Sequence, residues 1–223
     1  MTPLSTTDYP GALSAVLFSQ GCPWRCSYCH NPHLIRADLP VELEWGKAIK
    51  FLRGRVGLLD GVVFSGGEPT MQDGLKDAMS EVKAMGFRIG LHTGGAYPEK
   101  LSVVLPLLDW VGFDVKASFP RYDVVNGVPG SGAKAEQSLG LLVDSGVDHE
   151  CRTTVHPEMF TADGLIALST ALFARGARKH VLQAFRPAGC RDEGLNDSFD
   201  PVALATLMNS AAAASPRIEL RGV

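Results

Sequence analysis

Cys22, Cys26 and Cys29 fall within Gly21-Cys-Pro-Trp-Arg-Cys-Ser-Tyr-Cys-His-Asn-Pro32, a C-x3-C-x2-C spacing with no obvious fourth cysteine nearby. A closed structural zinc site takes four protein ligands, whereas a [4Fe–4S] cube held by three thiolates keeps one iron open to a substrate or cofactor. The competing reading is a zinc knuckle that borrows His30 or His33. Downstream, Ser65-Gly-Gly-Glu-Pro69 removes side chains at Gly66 and Gly67, where a ligand could come close, and then presents the carboxylate of Glu68. Taken alone, that stretch reads as a strand-to-helix turn with Glu68 at a helix N-terminus.

The elements that must position these groups alternate short apolar runs with longer amphipathic ones. Strands are expected over Leu13–Ser19, Gly61–Ser65, Phe87–His92, Trp110–Lys116, His149–Val155 and His180–Phe185. Helices are expected over Val41–Arg55, Met71–Met85, Pro98–Leu108, Ala133–Ser145, Thr161–Arg175 and Pro201–Ala214, with Gly86, Gly146 and Gly176 as C-terminal caps. Arg217–Leu220 reads as a short final strand or a tail. Repeated strand–helix units imply parallel strands with right-handed crossovers, and about six units are too few for an eight-unit barrel. The expected fold is therefore α/β, a partial (β/α)6 TIM-like barrel with parallel strands, in a single domain over 1–223. In such sheets reactive groups gather at the carboxyl ends of the strands, and there lie the cysteine loop, Gly66–Pro69, His92-Thr93, Asp114-Val-Lys116, Arg152–Pro157 and Gln183–Pro187.

Composition bounds the function. Hydrophobic residues make up 45% of the 223 residues, charged residues 20%, and the net charge is −3, so no nucleic-acid surface or anionic-membrane surface is indicated. The N-terminus has no basic, apolar signal pattern, and Ala203–Ala214 is too short to span a membrane. Five cysteines, three of them clustered, fit reduced thiols and a cytoplasmic location.

The cysteine loop together with Gly66-Gly-Glu-Pro69 resembles the radical S-adenosylmethionine (SAM) superfamily, and the likeness extends over nearly the whole chain. Asp8-Tyr-Pro-Gly11, Gln20-Gly-Cys22, Cys29-His-Asn31 and Asp114-Val-Lys116 look like the glycyl-radical-enzyme activating proteins. Leu91–Pro98 and Arg152–Pro157 look closest to the activating proteins of anaerobic ribonucleoside-triphosphate reductase. The resemblance implies that Cys22, Cys26 and Cys29 bind three irons of a [4Fe–4S] cluster and that SAM completes the fourth. It also implies Tyr28 against the adenine, and Gly66, Gly67, Glu68 and Pro69 on the methionine amino group. His92 and Thr93 would lie at the turn that contacts the ribose, Asp114 and Lys116 would face SAM, and Arg152 would add a second cation for its carboxylate. Thr154 would line the adenine side. The pyruvate formate-lyase activators have an acid where this chain has His92, and a histidine where it reads Ala184-Phe185-Arg186, so Gln183 or Phe185 must serve there. The implied reaction is one-electron cleavage of SAM, with an external one-electron donor, to a 5′-deoxyadenosyl radical that takes hydrogen from a glycine of a partner enzyme.

Several residues keep two readings. Asp8 is a partner contact or a turn former, and Cys190 a functional thiol or a plain loop cysteine. Cys151 reads as core, His30 and His33 as loop residues near the adenine, and Gly127–Gly132 as a mobile loop. Trp24 and Trp45 belong to the core or to a partner surface. Rival functions are a radical enzyme acting on another glycyl radical enzyme or on a small molecule, and a non-catalytic iron–sulfur or zinc module. Half a barrel should leave a wide lateral mouth.

Overall fold

Runs rich in Val, Leu, Ile and Phe that are apolar on successive residues need cover on both faces, and the chain supplies it with helices outside and a small plug inside. The computed structural model describes residues 1–40 and 42–222. Eight strands form one sheet in sequence order: β1 (Thr2–Ser5), β2 (Ser14–Ser19), β3 (Gly61–Gly66), β4 (Arg88–Thr93), β5 (Trp110–Asp114), β6 (Asp148–Val155), β7 (His180–Ala184) and β8 (Ile218–Arg221). β2 through β8 pair in parallel, whereas β1 runs antiparallel to β2. β1 and β8 are the two edges of the sheet, so the barrel wall is left unclosed between them.

The helices are α1 (Trp45–Arg53), α2 (Leu75–Ala84), α3 (Pro98–Val104), α4 (Tyr122–Asn126), α5 (Ser131–Ser145), α6 (Ala162–Ala174), α7 (Glu193–Asp197) and α8 (Pro201–Ala212). Their buried positions recur at helical spacing, as in Leu75, Met79 and Val82 of α2 or Ala135, Leu139 and Leu142 of α5. These meet the outward residues of the strands, among them Ala15, Leu17, Val62, Phe64, Ile89, Leu91, Val111 and Phe113, in the main core. Burying each such Leu or Phe contributes about 1.5–3 kcal/mol. The alternate residues face inward. Val16, Val63 and Trp110 pack with Tyr9 and Ala12 as a plug, with Tyr9 stacked on Trp110 at 5.3 Å between centroids. Further along the same inward faces lie Phe18, Ser65, His92, Asp114, Arg152, Thr154 and Gln183.

The six expected strands and six expected helices are all present, with shifted ends. Val41 lies outside the described residues, and α1 begins at Trp45. The second helix begins at Leu75 rather than Met71, because Pro69–Met71 forms a separate 3-10 turn capped by Glu68. Leu105–Leu107 likewise tightens into a 3-10 turn after α3. The final run is a strand, β8, held through the bidentate pair of Arg221 with the buried Glu150 of β6, at 2.8 and 3.1 Å. β1, α4 and α7 were not expected. The Gly127–Gly132 stretch is a defined turn entering α5, in which Asp123 accepts from Gly130 N and Ser131 Oγ. Trp45 is part-exposed and donates to Glu81, and Cys151 is core. Among the described residues no helix is long and apolar enough to cross a membrane.

His180 of β7 lies in the outer layer with no exposure, its ring nitrogens 2.8 Å from Thr153 Oγ1 and 2.8 Å from Ser169 Oγ. Burial pushes its pKa down to about 4. The unfolded chain binds this proton first, so stability is lost as pH falls from about 6.5 towards 4, by roughly 3 kcal/mol from this group. Guanidine denaturation of the apoprotein across that window should show a shallower pH slope in His180→Gln than in the wild type; equal slopes would refute the assignment.

Candidate active site

The loop that carries the three cysteines has no regular structure of its own, and backbone hydrogen bonds hold it over the carboxyl end of the sheet. Gly21 N donates to Leu34 O at 2.8 Å and Cys22 N to Ile35 O at 3.0 Å. Arg25 N and Ser27 N donate to Asn126 O and Val125 O at the end of α4, at 3.0 and 3.3 Å. The Gly66–Glu68 turn locks against the same loop, with Gly67 N on Ser19 O at 3.0 Å and Glu68 N on Gly21 O at 2.9 Å. The approach is so close that a Cβ on Gly67 would sit 2.2 Å from the Gly21 carbonyl oxygen, and Gly66 holds φ +118°. Glycine is required at both positions for steric reasons.

The carboxylate of Glu68 is fully buried and satisfied from within. Oε1 accepts from Thr70 N (3.1 Å), Thr70 Oγ1 (2.6 Å) and Thr93 Oγ1 (2.7 Å), and Oε2 accepts from Gly94 N at 3.0 Å. Burial raises its pKa despite these bonds. Glu68 thus ties the turn after β3 to the turn after β4. The carboxylate is engaged within the protein while still lining the cavity, with Oε2 accepting one bond, from Gly94 N.

Between the turns lies a cavity of about 500 Å³, in the range of cofactor sites. The three cysteines, Tyr28, Gly66, Gly67, Glu68, His92, Thr93, Asp114, Lys116, Arg152, Thr154 and Gln183 all line it, as does His30; Pro69, buried at the start of its 3-10 turn, and His33 do not. Arg152 reaches across Gly112, where a Cβ would meet its guanidinium at 2.5 Å, and places Nε and Nη2 at 2.9 and 2.8 Å from Asp114 Oδ1. Lys116 Nζ stands 4.0 Å from Asp114 Oδ2 and over the rings of Trp24 and Tyr28, at 5.7 and 5.8 Å. Burial raises the Asp114 pKa, but the Arg152 and Lys116 cations outweigh it and hold the carboxyl below its usual range. Burial works against the Lys116 ammonium, yet Cys26, Tyr28 and Asp114 keep its pKa well above normal. Two cations thus share one acid, and the surplus positive charge sits where an anionic ligand can meet it.

His92 lines the cavity but has no free nitrogen, since Nδ1 lies 3.2 Å from Ser65 Oγ and Nε2 donates to Asp8 O at 2.8 Å. It pins the Asp8–Gly11 turn, and with it the inner plug, to the sheet, so its ring nitrogens are engaged within the protein. Burial pushes its pKa down to about 3, so the ring is neutral. Asp8 forms the turn, its carboxylate accepting from Ser5 Oγ, and the residue also borders the cavity. Gln183 lines the cavity, whereas Phe185 is buried away from it. Trp24, Phe18 and Arg186 also line it. Trp24 could have been read from its place between two of the cysteines, but Phe18 follows the same strand alternation as core residues and carries no local signal.

The thiols are free and part-buried, and burial pushes Cys22 up to about 12 and raises Cys26. Among the described residues no three His, Cys, Asp or Glu side chains are grouped so as to hold a single metal ion. Three free thiols lining one cofactor-sized cavity beside a largely buried ammonium fit a [4Fe–4S] cluster with SAM beside it.

Comparison with known proteins agrees. The radical SAM superfamily profile matches residues 16–163. A Methanocaldococcus jannaschii protein, MJ1227, whose name assigns it provisionally to the glycyl-radical enzyme activating enzymes, is 31% identical over 85% of this chain and 80% of its own length. The pyruvate formate-lyase-activating enzyme of Clostridium pasteurianum is 34% identical over 63% of each chain. In fold, Streptococcus suis SuiB bound to SAM superposes with a TM-score of 0.71 at 11% identity, covering 93% of this chain and 49% of that one. The chain therefore spans less than two thirds of the clostridial enzyme and about half of SuiB.

Removing Asp114 alone strands a guanidinium whose residue is only 7% exposed. Asp114→Ala should cost about 3 kcal/mol, and the Asp114→Ala/Arg152→Ala double variant less than the sum of the two singles by about 1–3 kcal/mol. Denaturation of all four apoproteins checks this, and strict additivity would contradict the pairing. On the convergence of cysteine loop, glycine turn and buried cations, and on these likenesses, the chain is a member of the radical SAM superfamily, in the family of glycyl-radical enzyme activases, whose cofactors are a [4Fe–4S] cluster and S-adenosylmethionine.

Proposed function

We propose that this protein installs a glycyl radical on a partner enzyme, and that the partner is of the anaerobic ribonucleoside-triphosphate reductase type. Cys22, Cys26 and Cys29 hold the cluster; Lys116, with the surplus charge beside Asp114 and Arg152, receives the SAM carboxylate. The Gly66–Glu68 backbone receives its amino group, and Tyr28, Thr154 and Gln183 border the nucleoside. When bound and reduced by an external one-electron donor, the cluster and SAM supply a 5′-deoxyadenosyl radical. The chain's own part is to orient SAM and keep water from it; no general base is needed.

The observation that carries the reading is the unclosed wall between β1 and β8, joined to the 31% likeness over 85% of the chain to a protein named for activating glycyl-radical enzymes. A gap in the wall suits a protruding peptide loop. The cation inventory supports a neutral backbone as substrate: Arg152 is taken by Asp114 and Lys116 serves the cofactor, which leaves Arg186 at the cavity border. A phosphorylated small molecule would want several free cations. The segments Leu91–Pro98 and Arg152–Pro157 support the reductase-type partner. A pyruvate formate-lyase-type partner is the second reading, favoured by the 34% likeness to the clostridial activator.

After anaerobic reconstitution and reduction, the protein should convert SAM to 5′-deoxyadenosine and methionine. Cys22→Ala, Cys26→Ala and Cys29→Ala should each abolish this. Lys116→Ala should weaken SAM binding roughly ten-fold or more while retaining iron, as loss of a charge-assisted contact does. Electron paramagnetic resonance should then find the glycyl radical signal in a ribonucleotide reductase partner; a signal only in a formate-lyase partner would transfer the assignment.

A further inference from the structure

A second clasp on the cysteine loop comes from a segment that the chemistry above does not use. From Phe185 to Phe199 the chain lies as a strap beside residues 26–30. His30 Nε2 donates to Arg186 O at 3.0 Å, and the Cys190 thiol lies 3.5 Å from Ser27 O. Gly189, at φ +90°, packs so tightly that a Cβ there would stand 2.6 Å from His30 O. Tyr28, Phe185 and Cys190 form one buried cluster, and Cys26 packs against it.

The strap is itself fastened by a buried histidine on the loop after β6. His156 has no exposed surface. Its Nδ1 accepts from Glu158 N at 3.2 Å, which leaves the ring proton on Nε2, and Nε2 donates to Leu195 O at 3.0 Å. The ring meets Phe185 edge-on, with centroids 4.8 Å apart at 85°. Asn196 Nδ2 carries the tie onward to Cys190 O at 3.1 Å. On the opposite side the loop is held by α4, through backbone bonds from Arg25 and Ser27 and the packing of Trp24 on Tyr122.

We propose that His156 is a positioning residue for the iron–sulfur site: it latches the Phe185–Phe199 strap, and the strap keeps the Cys26–His30 part of the loop from opening. Retention of the cluster then depends on a side chain that touches neither metal nor SAM. A loop without its own ladder of hydrogen bonds opens as easily as its weakest clasp allows, and opening exposes thiolate ligands to competitors. This holds whichever partner enzyme is served.

The test uses the full-length protein, reconstituted anaerobically, as wild type, His156→Leu, His156→Gln, Gly189→Ala and, as a control in the far core, Leu139→Ala. Iron release to a ferrous chelator is timed well below the unfolding temperature, alongside Tm and the resonance spectrum of the reduced cluster with and without SAM. His156→Leu and Gly189→Ala should release iron roughly ten-fold faster or more, the range seen for outer partners of metal ligands. They should also broaden the spectral change that SAM produces. His156→Gln should hold iron near the wild-type rate, because its amide can accept from Glu158 N and donate to Leu195 O. Leu139→Ala should lower Tm without hastening release. A His156→Leu protein that keeps iron as long as wild type would overturn the proposal, and so would release rates that simply follow Tm across the series.

Discussion

The contact on which the site depends is between two stretches of bare backbone. Glu68 N donates to Gly21 O and Gly67 N to Ser19 O, with no side chain between them. That contact sets where the cysteine loop stands relative to the turn after β3. It is made possible by glycine at 66 and 67 and fixed from behind by the buried carboxylate of Glu68, which also captures Thr93 and Gly94. The relative placement of cluster ligands and SAM turn is thus a property of three packed loops rather than of any single one. A hydrogen-bonded carboxylate at their junction gives it a rigidity that a solvent-facing turn would lack.

Charge is arranged with similar economy. One acid, Asp114, faces two cations, and all three stand on or beside the inward face of β5 and β6. Arg152 is consumed in orienting Asp114, while Lys116 lies against Trp24 and Tyr28 with its charge only partly compensated. Burial opposes the Lys116 ammonium, and Cys26, Tyr28 and Asp114 around it keep it strongly protonated; an anionic cluster and a carboxylate-bearing cofactor would complete the balance. His92 shows the opposite case. It lies half-buried beside the same charges, is neutral, and acts as a fastener between the inner plug and the sheet.

The strands from Ser14 to Ala184 and the helices around them were legible because each carries a long apolar run or a clean amphipathic face. β1 was not, because Thr2-Pro-Leu-Ser5 is short, polar and made into a strand only by pairing at an edge. α4 and α7 are five residues each, too short for a period to show. The cysteines, Gly67, Asp114, Lys116 and Arg152 were legible as motif residues at strand ends. What each side chain does there was less so. Glu68 and His92 are engaged by partners 25 and 84 residues away in sequence, and local pattern carries no trace of such pairings.

The gap between the first and last strands has a further consequence. A container with one panel missing is completed only by whatever fits the opening, so the visitor becomes part of the vessel. On the reading proposed above, an occupant seated at that margin would shield the interior only while it stays there, so that recognition and protection would become one event.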